Sequence, residues 1–326
     1  MAEHTLSAEP THSRWNKALE PRLTIDSGDV VHMDCVDSSG GQVRPCSTVE
    51  DFLAIDRGRI HALTGPIAIH GAQPGDSLAI EVLEVAHRGW GWSSTIPGLG
   101  FLKERFPAAS LFHWELIGDM TCSLSPAVVP LRPFCGVMGV APAEPGEFRT
   151  RPPGVFGGNM DVRELSAGAT LYLPVLNPGA LFSAGDAHAA QGDGEVCING
   201  IEAPASVSLR FQLLKVRALR GPLVESGHAE SAGPSWMVIE SAENAIEAAK
   251  LATHRMIDLL AERAGLSEVH AYLLCSVAMD LRLSQVVNEP MVTVSAQMAK
   301  SVLPGIRLFN GADNSCSSTI PRHWQS

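Results

Sequence analysis

The sequence predicts an α+β fold dominated by β-structure: packed β-sheets in a barrel-like sandwich, with a helical hairpin towards the C-terminus. Three observations predict it. Short apolar runs of period two, punctuated by Gly and Pro, fill the chain from about residue 20 to 220, and the period becomes helical from about 240 to 285. Strands first and helices last argue against alternating βαβ units. No Gly-x-Gly-x-x-Gly and no Gly-Lys-Ser/Thr motif opens a helix, so a nucleotide cofactor has no support. The length, 326 residues, suits one large domain spanning 1–326.

The strand candidates follow turns. Val30 and Val31 follow Asp26-Ser27-Gly28-Asp29. Leu78, Ile80 and Val82 alternate with Ala79, Glu81 and Leu83 after Gln73-Pro74-Gly75-Asp76, and Thr170-Leu171-Tyr172-Leu173 follows Ser166-Ala167-Gly168-Ala169. The recurrence hints at a duplicated β unit, although three short matches arise easily in a β-rich chain. Further on, Ile246, Ala249, Met256 and Leu260 recur near helical spacing from about Ser241 to Ala264, and Gly265 stops the segment where a left-handed cap is wanted. Ser267 suits the N-cap of a second helix with Val269, Leu273, Val277 and Leu281 on one face.

Composition excludes several classes. The formal net charge is −11, from 24 Lys and Arg against 35 Asp and Glu, and no basic run exists that would hold nucleic acid. No window approaches the roughly 18 apolar residues of a membrane span, and residues 1–10 lack the pattern of a secretory signal. Seven scattered Cys without a Cys-x-x-Cys pair read as reduced thiols, predicting a cytoplasmic protein.

The densest chemical signal is Gly185-Asp186-Ala187-His188-Ala189-Ala190-Gln191-Gly192-Asp193-Gly194-Glu195. On an extended backbone Asp186 and His188 share a side, as do Asp193 and Glu195, and the Gly-rich turn lets the pairs converge. Carboxylate with imidazole is a ligand set for a divalent ion, Zn²⁺ or the harder Ca²⁺; the alternative is a polar hairpin whose Asp residues bond their own backbone. Asp37, at the entry of Asp37-Ser38-Ser39-Gly40-Gly41-Gln42, suits a ligand or an Asx-turn. His61, before Gly65-Pro66, is a ligand candidate or a hydrogen-bonded histidine. Asn159 and Asp161 in Gly157-Gly158-Asn159-Met160-Asp161 can orient an amide or a ligating histidine, or make a left-handed turn. Trp90 and Trp92 suit a pocket wall or core packing. Cys135 and Cys197 are the thiol candidates, both within apolar stretches. A serine nucleophile has little support, since no Gly-x-Ser-x-Gly elbow exists and the 315–319 stretch has only His323 near it.

Taken in order, these motifs resemble the acetamidase/formamidase family. The resemblance also includes Leu23-Thr24-Ile25, Leu63-Thr64-Gly65-Pro66, Gly71-Ala72-Gln73-Pro74-Gly75-Asp76 and Asp280-Leu281-Arg282-Leu283-Ser284-Gln285-Val286-Val287-Asn288, so it covers nearly the whole chain. It implies a β-rich fold with packed helices, a self-associating cytoplasmic enzyme, and hydrolysis of formamide, acetamide or related small amides, lactams included. One departure is His70, where the family usually carries an acidic residue. If that position lines the site, His70 changes the charge felt by the substrate.

Amide hydrolysis needs a nucleophile stronger than neutral water, a stabiliser for the oxyanion and an acid for the departing nitrogen. The roles expected are Asp37, His61, Asp186 and His188 around a divalent metal, Glu195 with Asp193 in proton transfer, Asn159 positioning the amide, and Trp90, Trp92 and His70 at the substrate. A thiol-dependent amidase and a non-catalytic small-molecule binder on the same scaffold remain as alternatives.

Overall fold

The computed structural model describes residues 1–215, 218–227 and 233–309; Cys316 and the 315–319 stretch lie outside them. Two open sheets stack face to face. The larger has nine strands in the order Glu3–Leu6, Val30–Cys35, Ala205–Leu214, Ser77–His87, Thr170–Pro174, Leu223–Ser226, Ser235–Ala242, Val292–Ala299 and Met279–Gln285. The smaller has five, ordered Gly157–Asn159, Phe134–Gly139, Phe182–His188, Leu63–Ile69 and Leu23–Ile25. The β-dominated sandwich with packed helices is the one expected, and because both sheets end in edge strands it is open and not a closed barrel.

All three turn-fed strands form, and all join the nine-stranded sheet. Leu78, Ile80 and Val82 face the main core between the sheets, where Ile67, Phe134 and Phe182 meet them from the other side. Ala79, one residue out of phase, faces a second core formed with the helices. The strand Ser235–Ala242 splits in the same way: Met237 and Ile239 enter the sandwich, Trp236 and Val238 the helical side. Two covered faces explain why these strands are apolar at successive positions instead of strictly alternating.

Turn acids anchor the sheet. Asp29 accepts hydrogen bonds from the Ala2 amide (2.6 Å) and the Asp26 amide (3.1 Å) and contacts His4 Nε2 at 3.0 Å. The Ala2 amide and His4 hold its pKa down to about 2, below the usual 3.8. A depressed carboxylate stabilises the fold above its unfolded pKa and loses that contribution as pH falls towards the folded value. Asp29→Asn is expected to cost about 2 kcal/mol at pH 7, with the difference vanishing between about pH 4 and pH 2, measurable by urea denaturation across that range.

The helix Ala245–Ala264 forms with Asn244 as N-cap and Gly265 as a left-handed C-cap at φ 66°. It starts later than the periodicity suggested, because Ser241 and Ala242 belong to a strand, and Ile246 lies outside the core. Ala248, Ala252, Met256 and Leu260 make the buried stripe. The helix Glu268–Ala278 is capped by Ser267 as expected but ends earlier. Met279–Gln285 is an edge strand, so Leu281 cannot share a helical face with Val269. The buried side of this second helix is Ala271 and Cys275, small enough for close approach, while Val269, Leu273 and Val277 point outward. Among the described residues, no helix is long and apolar enough to cross a membrane.

Candidate active site

At one end of the five-stranded sheet a cavity of about 680 Å³ opens, and its floor collects the ionisable residues. Asp186 and His188 stand at the end of the central strand Phe182–His188. Asp161 follows the strand Gly157–Asn159, and His61 precedes Leu63–Ile69. Glu195 comes from the turn after the central strand, and Glu202 from the segment between the backbones of Trp92 and His188. Asp161, Asp186 and Glu195 hold φ values of 50°, 54° and 47°, in the left-handed region that side chains other than Gly rarely occupy. Strain at three acids of one cluster is what a site fixed for chemistry displays.

His188 is the hub. Its Nδ1 lies 2.8 Å from Gln191 Oε1. The Gln191 amide is oriented by donating to the Asp161 carbonyl at 2.8 Å, so the ring hydrogen sits on Nδ1. Nε2 then faces Glu202 Oε1 at 3.0 Å, Asp186 Oδ1 at 3.5 Å and Glu195 Oε1 at 4.0 Å. His61 Nε2 lies 3.9 Å from Asp186 Oδ2, while its amide donates to Thr150 Oγ1 at 2.9 Å. Asn159 is satisfied with its NH₂ towards Asp186 Oδ2 (3.2 Å) and both Asp161 oxygens (3.3 Å), and its oxygen towards Asn288. Asn288 also donates to Asp161 Oδ2.

Burial pushes Asp161 up to about 7, and Asp186 and Glu195 upward too, each reinforced by its acidic neighbours. For His188 burial pulls downward, but Glu202 and Asp186 more than offset it and favour the charged ring. Glu202 is lowered instead, because His188 outweighs its burial. The cluster is therefore short of positive charge. Asp186 Oδ1, Glu195 Oε2 and Glu202 Oε2 are buried without a hydrogen-bond partner. Asp161, Asp186 and His188 form one group able to hold a metal ion, and His188, Glu195 and Glu202 another. The donor set fits a divalent cation, which would take the place of the ring proton: carboxylate oxygens with one imidazole whose Nε2 points inward.

The structure brings Asp186, His188, His61, Glu195 and Asn159 together, and places Trp92 on the cavity wall. Asp37 stands behind that wall. Its Oδ1 accepts from the Ser39 amide at 2.9 Å and from Trp92 Nε1 at 3.3 Å, which is the Asx-turn alternative, and it is not among the clustered ligands. Asp193 turns away because Gly194, at φ 92°, and Glu195 break the strand alternation. It pairs instead with Arg163 (3.0 Å) and Arg282 (2.9 Å), clamping the loop. His70 is 79% exposed, pairs with Asp26 at 3.3 Å and does not line the cavity. Trp90 packs around Val43 and Phe52. Cys135 lies buried beneath the site with its thiol pushed well up by Cys35 and burial, the reverse of an activated nucleophile; Cys197 is also shifted up by burial and donates to the Ser94 carbonyl at 3.3 Å. Glu202, and Gln191 as the group that orients His188, carry roles that spacing did not reveal.

The profile of the Acetamidase/Formamidase family matches residues 2–148 and 143–303. The crystal structure of an acetamidase from Bacillus halodurans superposes with a TM-score of 0.85 at 34% identity, covering 91% of this chain and 98% of that one. An acetamidase of Mycolicibacterium smegmatis is 25% identical over 310 residues, 73% of this chain and 76% of its own. A formamidase of Methylophilus methylotrophus is 27% identical over 260 residues, 63% of this chain and 64% of its own length.

Proposed function

The chain belongs to the acetamidase/formamidase family, and from that membership we propose that it hydrolyses small linear amides to carboxylate and ammonia at a metal-dependent site on the cavity floor. The observation that carries the reading is the convergence of four buried carboxylates on His188, with three of their oxygens unpartnered. Buried carboxylates at this density keep their charges only beside a cation.

Asp161, Asp186 and His188 would hold the ion, with Glu202 facing the same His188 Nε2 and Gln191 bracing the ring from the far side at Nδ1. A nitrogen donor among the oxygens favours Zn²⁺ over Ca²⁺, which takes oxygen ligands. Once bound, such an ion supplies Lewis acidity, lowering the pKa of water towards roughly 7 and polarising a carbonyl oxygen. Glu195, whose pKa burial and Asp161 raise, would as carboxylate take a proton from the attacking water and then deliver it to the departing nitrogen. Asn159 acts through Asp161 and Asp186, so it is a positioning residue. Trp92 walls the site and keeps water from Asp37.

The same reading makes the protein a cytoplasmic homo-oligomer. What supports association is the outward apolar face of Val269, Leu273 and Val277, beside Leu281 and Leu283 on the edge strand. The deciding experiment is elemental analysis of the purified protein together with ammonia release from formamide and acetamide. A bound divalent metal is expected, with activity abolished by chelation and restored by Zn²⁺. Full turnover by verified metal-free protein overturns the metal role, and no ammonia from metal-replete protein overturns the reaction.

A further inference from the structure

The wall of the cavity carries charge opposite to its floor. Arg14, Arg57, Arg149 and Arg151 all line it, in a chain whose net charge is −11. Their placement is built by secondary structure. Arg149 lies directly opposite Arg14 in the antiparallel ribbon of Phe148–Arg149 with Arg14–Trp15. Like charges set directly across a strand pair destabilise it. Thr150, between Arg149 and Arg151, accepts the His61 amide, so the ribbon is tied to the cluster at that point. Arg57 begins the short 3₁₀ turn Arg57–Arg59, just before His61, and stacks 4.9 Å over the Phe52 ring.

Within the described chain these guanidinium groups are not held by salt bridges. None of the four forms an ion pair among the described residues, and the polar contacts of Arg14 and Arg57 are to the Ser13 and Phe52 carbonyls at 3.2 and 3.4 Å. Glu289, which also lines the cavity and is felt by Arg151, is paired with Lys103 at 2.8 Å. The volume points the same way. About 680 Å³ lies within the roughly 300–1,000 Å³ typical of sites for much larger ligands, and formamide or acetamide would fill a small part of it.

We propose that the preferred substrate is an amide whose far end carries a carboxylate, the half-amide of a short dicarboxylic acid, bound by the arginine wall while its amide meets the acidic floor. The inference deepens the amidase reading and rests on it. Arg forks accept carboxylates bidentately, and the bond is charge-assisted. The acidic floor repels that carboxylate, so the two ends of the substrate also fix its direction in the cavity.

The test compares succinamate with 4-oxopentanamide, in which a methyl ketone replaces the carboxylate. Wild-type protein is expected to show kcat/KM at least tenfold higher for succinamate, with the ratio falling as salt screens the wall. The double variant Arg149→Gln/Arg151→Gln is expected to bring the ratio towards one. Arg57→Gln, in a surface turn, gives a second decision should the ribbon variant fold poorly. A wild-type ratio near one, or a ratio that neither variant moves, overturns the proposal. Calorimetric titration of chelator-treated protein with both compounds reads the same preference without turnover. Hydrolysis of both at equal rates therefore sinks the anionic substrate alone, whereas arginine-dependent binding of succinamate without ammonia release sinks the amidase reading alone.

Discussion

His188→Ala is expected to remove ammonia release by well over 100-fold and to strip the protein of its metal. The magnitude follows from position. Loss of a group that only orients a metal ligand costs roughly 10–100-fold, and His188 is the residue common to both candidate ligand groups. Gln191→Leu supplies the comparison, because it leaves the imidazole in place but frees its Nδ1 hydrogen and its orientation. Its expected loss is therefore about 10–100-fold in activity or metal affinity. Stability should fall in the alanine variant as well, since Glu202 and Asp186 lose the ring that faces them. Removing one partner of a buried ion pair costs about 3–5 kcal/mol. Ammonia assay, metal content and urea denaturation of the two variants check the ordering. His188→Ala with wild-type metal content and turnover would remove the hub from the mechanism.

Sequence carried those parts of the fold that depend on local chemistry. Gly265 and Ser267 bound the two helices because a left-handed cap and a side-chain N-cap are local requirements. The three turn-fed strands were legible for the same reason. The face of the second helix was not legible. Val269, Leu273 and Val277 have the spacing of a core stripe, yet the packing selected Ala271 and Cys275, and a period-two segment of Leu281 and Leu283 became an edge strand. Periodicity identifies an apolar face but does not say whether this chain or another surface covers it.

The site divides along a similar line. Asp186 and His188 were visible as an Asp-x-His pair, and the structure keeps them together. Asp193 and Glu195 have the same spacing but separate, because alternation holds only on extended backbone and Gly194 and Glu195 are left-handed. Glu202 carried no motif: it reaches His188 because the chain returns after the Gly-rich loop and sets the two residues opposite each other in an antiparallel bridge. Asp161 stood within a recognised turn, but its place beside Asp186 depends on strand order in the smaller sheet, which no spacing encodes. The arginine wall was equally hidden. Arg14 and Arg149 are far apart in the chain and become neighbours through a two-residue ribbon.

Gly136→Ala is expected to cost about 100-fold or more in activity and to deplete bound metal while leaving the protein folded. Gly136 lies in Phe134–Gly139 between Cys135, paired with Ala187, and Val137, paired with Gly185. A Cβ there would stand 2.5 Å from Asp161 Oδ1 and 3.1 Å from both the Asp186 carbonyl and Asp186 Oδ2. Asp161 cannot simply swing aside, because Asn288 and Asn159 hold its carboxylate, and Asp186 cannot because its own backbone is the obstacle. The methyl group therefore occupies the space between the two acids that would hold the ion. Overpacking costs typically 1–3 kcal/mol, and replacing a flexible glycine within a strand returns roughly 0.5–1 kcal/mol, so the net loss of stability should be about 1–2 kcal/mol. Most of the stability remains while nearly all turnover is lost, and that separation is the diagnostic. Denaturation midpoint, metal content and ammonia release on one preparation measure it. Wild-type metal and turnover in Gly136→Ala would mean that Asp161 and Asp186 do not close around this point, and the proposed ligand pair would have to be abandoned.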